Sequence, residues 1–233
     1  MSIYITGKHA NCDAKETFLQ FCAEMEDYLY SLAMSLLHIL DLLSTFVFAL
    51  VGARVAADKG LDYGGIAFIA AVASVSGGTL RNVFLGLTPI WITDPWIIAS
   101  IIAAVVLTLV FRRVTHVGKT LLIMDTFGLA VATMSGTQLA FEENIAWYAA
   151  IILGVITAVT GGLLRDVLCQ LEPVLLHRET IGTSSMMGAI TFVALNQLDL
   201  SQSICAIVGG AVVILTRVIS IQYDLHLPKF NKN

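Results

Sequence analysis

The stretch Gly77–Val83, which reads GGTLRNV, returns later in the chain as Gly161–Val167, which reads GGLLRDV. The offset between the copies is constant, since 161 − 77 = 84 and 165 − 81 = 84. The same offset joins Asp41 to Asp125 without a gap. A fixed offset of this kind marks an internal repeat. The sequence therefore predicts that one structural unit is used twice.

The composition is that of an integral membrane protein. The 233 residues are 57% hydrophobic and only 13% charged, and the mean hydropathy is +0.84. Soluble domains carry roughly 25% charged residues. The net charge is −4 and no basic face stands out in the sequence, so nucleic acid is not an expected partner.

Seven apolar stretches approach the length of a membrane helix, which needs about 20 mostly apolar residues. Because the runs are continuous rather than alternating, they favour helices over strands. The windows are 34–56, 64–85, 96–112, 120–140, 146–167, 181–197 and 202–221. The predicted fold is an all-α membrane protein of seven transmembrane helices, built as two three-helix repeats and one extra helix.

The predicted boundaries follow from these windows. They give a polar N-terminal segment at 1–28, a first repeat at 29–116, a second repeat at 117–200, a seventh helix at 201–222 and a tail at 223–233. Three helices per repeat is an odd number, so the second repeat enters the membrane from the opposite side. This makes the repeats inverted, an arrangement known from transport proteins.

Positive charges concentrate in the loops of one predicted side, and such loops are cytoplasmic. We therefore expect the N-terminus outside and the C-terminus in the cytoplasm. The cationic residues that carry this expectation are Arg54, Lys59, Arg112, Arg113, Lys119, Arg178, Lys229 and Lys232.

Each glycine pair lies inside an apolar helix, where a glycine costs about 1 kcal/mol relative to alanine. Broken helices at membrane depth are tolerated where the backbone is buried in protein or lines a water-filled cavity. We therefore predict kinks at Gly77-Gly78 and Gly161-Gly162, with half-helices that end there and aim carbonyl oxygens at a cation. The alternative is that small residues only allow close helix packing. Hydroxyls expected beside the ion pathway are Ser74, Ser76, Thr79, Thr157 and Thr160.

Four ionisable residues lie in apolar runs, where a charge costs about 2.5–3.5 kcal/mol and needs a partner. The predicted topology places Asp41 and Arg81 toward the outer end of their helices, and Asp125 and Arg165 toward the inner end. We therefore predict two ion pairs, Asp41 with Arg81 and Asp125 with Arg165. Each pair either holds the fold together or guards one mouth of a pathway.

The two copies differ at one polar position. Asp166 in the second copy stands where the first copy has the neutral Asn82. A second carboxylate near the inner mouth would favour cations there.

The sequence contains no catalytic constellation. It has no phosphate-binding glycine loop with a lysine, no histidine cluster and no nucleophile–base arrangement. The four cysteines, Cys12, Cys22, Cys169 and Cys205, lack metal-ligand spacing. We expect no enzyme, no metal site and no cofactor.

The doubled Gly-Gly-x-x-Arg-Asn/Asp pattern on a three-plus-three-plus-one plan resembles the prokaryotic branch of the trimeric intracellular cation channels, TRIC. The same bacterial sequences are also catalogued under a glycine transporter name. The resemblance covers about residues 34–221. It implies a homotrimer among the lipids of the bacterial inner membrane, with a pore in each protomer lined by kinked helices 2 and 5. It also implies passive conduction of K⁺, with Na⁺ less favoured.

One feature of the animal members does not carry over. They have a Lys-Glu-Val motif and bind a phosphoinositide, and this sequence contains no Lys-Glu-Val. Regulation of the animal type is therefore not expected.

Two functions from different classes remain. The first is a cation channel, supported by hydroxyl-rich, glycine-broken helices without a fixed charge at the predicted midplane. The second is a secondary transporter of a small neutral solute such as glycine, because inverted repeats with broken helices are also typical of transporters. A glycine site must bind an ammonium and a carboxylate together, whereas the predicted ion pairs lie at opposite mouths. This placement favours the channel, and a membrane scaffold without transport ranks last.

Overall fold

The computed structural model describes residues 37–111, 117–171, 180–198 and 200–223. Within these ranges the chain forms eight α-helices and no strand. The helices are α1 Leu37–Asp58, α2 Tyr63–Phe84, α3 Ile90–Thr93, α4 Pro95–Val110, α5 Val117–Glu142, α6 Trp147–Leu168, α7 Thr180–Asn196 and α8 Gln202–Gln222.

The helix windows predicted from the sequence agree with the structure. Each of the seven windows matches one long helix to within three residues at either end. The short helix α3 was not predicted. The polar segment 1–28 and most of the predicted tail lie outside the described residues, as do Arg112, Arg113, Arg178, Lys229 and Lys232.

Among the residues that the structure describes, four helices are long and apolar enough to cross a membrane, namely α1, α2 and α6 with 22 residues each and α8 with 21. Helix α4 and residues 181–196 of α7 are shorter apolar helices. The all-helical class is therefore confirmed. The number of seven spans and the sides on which the two ends lie stay predictions.

The contacts described below belong to the compact unit at 39–233. One buried apolar cluster joins α1, α2 and α4, and Val51, Ile69 and Ile101 are typical members. A second cluster joins α1 with α5, α6, α7 and α8, and Phe192 and Val213 are among its fully buried side chains. Helix α1 contributes to both clusters, so it connects the first repeat, to which it belongs, with the second.

The 84-residue repeat is visible in the turns that end the helices. Residues 84 apart, one in each repeat, are called repeat mates below. Four residues of the described chain have a positive φ: Gly60 at 76°, Asn144 at 56°, Gly86 at 72° and Gln170 at 51°. They form two pairs of repeat mates, so both repeats turn in the same way after equivalent helices.

Helices α2 and α6 end in the same hydrogen-bonded motif. The residue after each positive-φ position donates its backbone N–H to the carbonyl five positions earlier, from Leu87 to Asn82 at 2.8 Å and from Leu171 to Asp166 at 2.9 Å. This 6→1 bond is the mark of a Schellman C-cap, whose left-handed position favours glycine. The first repeat has Gly86 there, and the second has Gln170.

We predict that Gln170→Gly raises the stability of the protein by about 1 kcal/mol, because a side chain in the left-handed region costs roughly that much. Gly86→Ala is the matched reverse change and should lower stability by a similar amount. A Cβ at Gly86 would meet nothing within 4 Å, so its cost is conformational alone. Thermal unfolding of the purified protein in detergent measures both, and a lower melting temperature for Gln170→Gly would contradict the prediction.

Candidate functional site

Helices α2 and α6, which carry the two glycine pairs, cross so closely that their backbones are in contact. A Cβ built on Gly77 of α2 would lie 2.0 Å from the carbonyl oxygen of Thr157 in α6. A Cβ built on Gly161 of α6 would lie 2.3 Å from the carbonyl oxygen of Ala73 in α2. Ala73 and Thr157 are themselves repeat mates, so the two contacts are equivalent. No side chain fits at either glycine.

The helices run through the glycines without a break. Helix α2 is continuous from Tyr63 to Phe84, and α6 is continuous from Trp147 to Leu168. The expectation that half-helices end at the glycine pairs is therefore wrong. The physical reason is that Gly77 and Gly161 serve the close crossing, which was the packing alternative. A bend at either pair stays a prediction.

The second glycine of each pair has a different environment. A Cβ on Gly78 would meet only the guanidinium of Arg81, at 4.0 Å, and a Cβ on Gly162 only that of Arg165, at 3.8 Å. Gly78 and Gly162 therefore leave room beside the arginines one turn later. Within each pair, one glycine allows helix contact and the other borders an ion pair.

The first predicted ion pair is present and is bidentate. The two terminal nitrogens of Arg81 lie 2.9 Å from the two carboxylate oxygens of Asp41, and the Arg81 side chain is completely buried. The Arg81 Nε donates to Asn82 Oδ1 at 3.0 Å. Ser135 of α5 accepts from Arg81 at 2.6 Å and donates to the Asp41 carboxylate. This cluster therefore ties α1 and α2 to the second repeat.

The second predicted ion pair is also present. Arg165 Nη1 donates to Asp125 Oδ1 at 2.8 Å, and Arg165 Nε donates to Asp166 Oδ1 at 2.8 Å. The bond from Nε is geometrically the same as the one from Arg81 to Asn82, although the acceptor is now charged. The second cluster thus contains two carboxylates where the first contains one carboxylate and one amide. The repeat keeps the aspartate–arginine pair and the bond from Nε, and it exchanges a neutral acceptor for a carboxylate.

A cavity lies beside the first ion pair and is called the Asp41 cavity. It leaves ≈ 40 Å³ for the centres of water molecules, and one water needs about 10–15 Å³ of such volume, so about three waters fit. Its walls come from α1, α2, α3, α4, α5 and α6 and include both glycines of the crossing. Its polar lining consists of Asp41, Ser44, Thr45, Ser74, Thr79, Arg81 and Thr157.

A smaller cavity, called the Asp125 cavity, lies beside the second ion pair. It leaves ≈ 20 Å³, which is room for about one water. Asp125, Gly162 and Arg165 line it, and their repeat mates line the Asp41 cavity. Asp166 lines it as well, which gives the smaller cavity two carboxylates. The two cavities are therefore equivalent sites in the two repeats, with different charge and size.

Three of the five predicted hydroxyls line the Asp41 cavity, namely Ser74, Thr79 and Thr157. Each donates its hydrogen to a carbonyl of its own helix three or four residues earlier. Thr79 also accepts from the indole of Trp91 at 3.1 Å. The hydroxyl oxygens are thereby available as acceptors rather than donors. Neutral acceptor oxygens of this kind suit a cation held weakly.

The other two predicted hydroxyls line neither of these cavities. Thr160 donates to the carbonyl of Ile156 at 2.6 Å. The Ser76 hydroxyl is buried without a hydrogen-bond partner. The structure therefore does not bring Ser76 or Thr160 to either ion pair. Within the described part of the chain, no group of three or more histidine, cysteine or acidic residues could hold a metal ion.

Sequence reasoning missed Ser135. It lies in α5 among other small residues, and its repeat mate is Val51, which has no polar group. The 84-residue repeat, which helped to locate both ion pairs, therefore gives no indication that Ser135 takes part in a polar cluster. Only the fold, which brings α5 against Arg81, reveals its role in the first cluster.

We predict that Gly77→Ala destabilises the protein by about 1–3 kcal/mol or more, because the added methyl group must push two backbones apart. Gly78→Ala is the matched control in the same pair and should fold like the wild type, since its Cβ has space. Melting temperature and the yield of monodisperse protein measure both. Equal tolerance of the two substitutions would show that the α2–α6 contact is not as close as described.

We predict that Arg81→Asp, which leaves two buried carboxylates facing each other, costs about 3–5 kcal/mol or prevents folding. Adding Asp41→Arg should recover part of this loss. A matched control is Asp58→Asn, which removes the half-exposed partner of Arg54 at 3.5 Å and should cost less than about 1 kcal/mol. Folded yield and thermal unfolding measure all three, and a double variant no better than Arg81→Asp would refute the coupling.

Comparison with known proteins supports the repeat independently. The family model described as glycine transporter matches residues 38–113 and again residues 122–197. The two matched segments are related by the same offset, since 122 − 38 = 84. Together they cover more than half of the chain.

Two curated relatives are bacterial membrane proteins. The UPF0126 membrane protein of Vibrio cholerae serotype O1 is 34% identical over 204 residues, which cover 86% of this chain and 85% of that protein. The UPF0126 inner membrane protein YadS of Escherichia coli K12 is 31% identical over 199 residues, covering 84% of this chain and 96% of that protein. With its several apolar helices, this chain is likewise a multi-pass inner-membrane protein.

Two solved structures share the fold. The TRIC trimeric intracellular cation channel orthologue from Rhodobacter sphaeroides is 32% identical with a TM-score of 0.78, covering 81% of this chain and 98% of that one. A second structure, from work on conductance through TRIC cation channels, is 31% identical with a TM-score of 0.75, covering 84% and 98%. The matched structures are channels rather than enzymes. The chain therefore belongs to the TRIC family of membrane proteins, for which the matching family model bears the description glycine transporter.

Proposed function

We propose that this protein is a cation channel that conducts K⁺ passively, with Na⁺ less favoured, through a pore within each protomer. The observation that carries the proposal is the pair of cavities at repeat-equivalent positions on α2 and α6, each built on an aspartate–arginine pair. The relatives of similar fold are TRIC cation channels. The pore lining is assigned to α2 and α6, which are the second and fifth of the long helices.

The lining chemistry supports a monovalent cation. Hydroxyl oxygens of Ser74, Thr79 and Thr157 offer neutral ligands in the Asp41 cavity. Each arginine is paired with an aspartate, so neither presents an uncompensated positive charge to the pathway. Asp166 adds a negative charge at the Asp125 cavity. A path lined in this way attracts a cation without holding it tightly, which conduction requires.

The assembly assigned to this function is a homotrimer in the inner membrane. The Rhodobacter sphaeroides relative is a trimeric channel. Large apolar side chains are exposed on this chain, and Phe68, Ile102 and Ile207 are more than half exposed. Such faces need lipid or neighbouring protomers to cover them. A pore within each protomer leaves these outer faces free for both.

The second candidate is a transporter of glycine or a similar small solute, which the description of the family model favours. A zwitterion needs a cationic and an anionic group that are both free to bind it. Here Arg81 binds Asp41 with both terminal nitrogens, and Arg165 bonds both Asp125 and Asp166. A zwitterion would have to break these buried pairs. This cost ranks the transporter second.

Single-channel recording of the purified protein in a planar bilayer under a KCl gradient, with and without excess glycine, tests the proposal. We expect discrete openings that reverse near the K⁺ equilibrium potential and do not respond to glycine. A silent bilayer together with glycine uptake into proteoliposomes would establish the transporter instead.

We predict that Asp166→Asn lowers K⁺ conductance roughly two- to tenfold at low salt, because it removes a charge that concentrates cations. The fold should be preserved, since Asn82 accepts the equivalent bond from Arg81 at 3.0 Å. The loss should shrink at high salt, where the charge is screened. Ser76→Ala, away from both cavities, is the control and should conduct like the wild type. A loss that is independent of salt would contradict the electrostatic role.

A further inference from the structure

We propose that the phenyl ring of Phe48 is the barrier between the two cavities, so that one aromatic side chain closes the pathway in this conformation. The inference rests on the proposed function, because a barrier has a role only where ions pass. It adds the residue that interrupts the path and the place where opening must occur.

Phe48 is the one residue that lines both the Asp41 cavity and the Asp125 cavity, within the part of the chain that the structure describes. Its side chain is only 5% exposed. The ring therefore borders both cavities at once. This position makes it the side chain that a route between the cavities would meet.

The polar face of α1 ends at this ring. Asp41, Ser44, Thr45 and Phe48 follow one another at the i, i+3, i+4 and i+7 spacing that places residues on one face of a helix. All four line the Asp41 cavity. Three oxygen-bearing side chains on this face are thus followed, one turn later, by an apolar ring. A hydrated ion that moves along this face loses its oxygen partners at Phe48.

The ring is seated between glycines of the opposite repeat. A Cβ built on Gly128 of α5 would lie 3.6 Å from Cε1 and Cζ of Phe48, and one built on Gly161 of α6 would lie 3.7 Å from its Cδ1. The ring therefore reaches from α1 to the backbones of α5 and α6.

Only the first repeat has an aromatic residue at this position. The repeat mate of Phe48 is Ala132, which lines the Asp41 cavity with a methyl group. If both positions carried small residues, the two cavities would face each other without an aromatic between them. An apolar constriction of this kind stops ions by excluding water. A movement of one side chain is then sufficient to join the two halves.

The test compares K⁺ flux into proteoliposomes that contain wild type, Phe48→Ala or Phe48→Leu, all as the full chain. We expect Phe48→Ala to raise flux roughly tenfold, as removal of an apolar gate should, with Phe48→Leu in between. The matched control is Phe192→Ala, because Phe192 is also fully buried in the second apolar cluster but lines neither cavity. It should not raise flux. If Phe48→Ala does not fold, the comparison of K⁺ flux between Phe48→Leu and the wild type tests the proposal.

A second readout reports access rather than flux. Single cysteines are placed in the two cavities, as Ser74→Cys and Leu163→Cys, in a chain whose four native cysteines are replaced. Ag⁺, a cation close to K⁺ in size, is added from one side, and protection from later maleimide labelling records its arrival. With Phe48 present, Ag⁺ added from one side should protect only the cysteine in the cavity that opens to that side. With Phe48→Ala, Ag⁺ added from either side should protect both cysteines.

The outcomes separate the barrier from the channel. Flux in the wild type with no increase in Phe48→Ala and Phe48→Leu overturns the barrier and leaves the channel intact. An equal increase in Phe192→Ala also overturns it, because loosened packing would then explain the gain. Absence of K⁺ flux in all variants, with Ag⁺ crossing only after Phe48→Ala, overturns the proposed function and supports the barrier.

Discussion

The backbone contact between α2 and α6 is the constraint on which the rest of the structure depends. At Gly77 and Gly161 each helix lies against a carbonyl of the other, closer than any side chain permits. This contact joins the two repeats at equivalent residues, so it sets the position of everything else that repeats. The arginine one turn beyond each pair is thereby carried to the same depth in its own half. Both cavities follow from this single crossing.

The buried charges act as a second connection between the halves. Arg81 is bonded within its own repeat to Asp41 and Asn82, and across the repeats to Ser135 of α5. Buried pairs of this kind contribute little to net stability against apolar residues of equal volume, yet they are costly to break singly. Their value here is positional, because they hold α1 and α2 in one register against α5. Both cavities are built around charges that already have partners.

The helix positions and both ion pairs could be predicted because each corresponds to a pattern in the amino-acid sequence. Apolar runs give the spans, the 84-residue offset relates Asp41 to Asp125 and Arg81 to Arg165, and the predicted topology then brings each aspartate to the arginine of its own repeat. The role of the glycines could not be decided in the same way, since a broken helix and a close crossing both require them. Ser135 and Phe48 were invisible because their repeat mates, Val51 and Ala132, share none of their chemistry. Features that break the repeat appear only when helices are placed beside each other.

The difference between Asn82 and Asp166 places a neutral amide in one repeat and a carboxylate at the equivalent position of the other. In a passive pore, the end with the extra carboxylate gathers cations more densely than the neutral end. Entry from the two sides would then be unequal. In the proposed pore this difference would curve the current–voltage relation, and the preferred direction of current would be set by a single atom exchanged between amide and carboxylate.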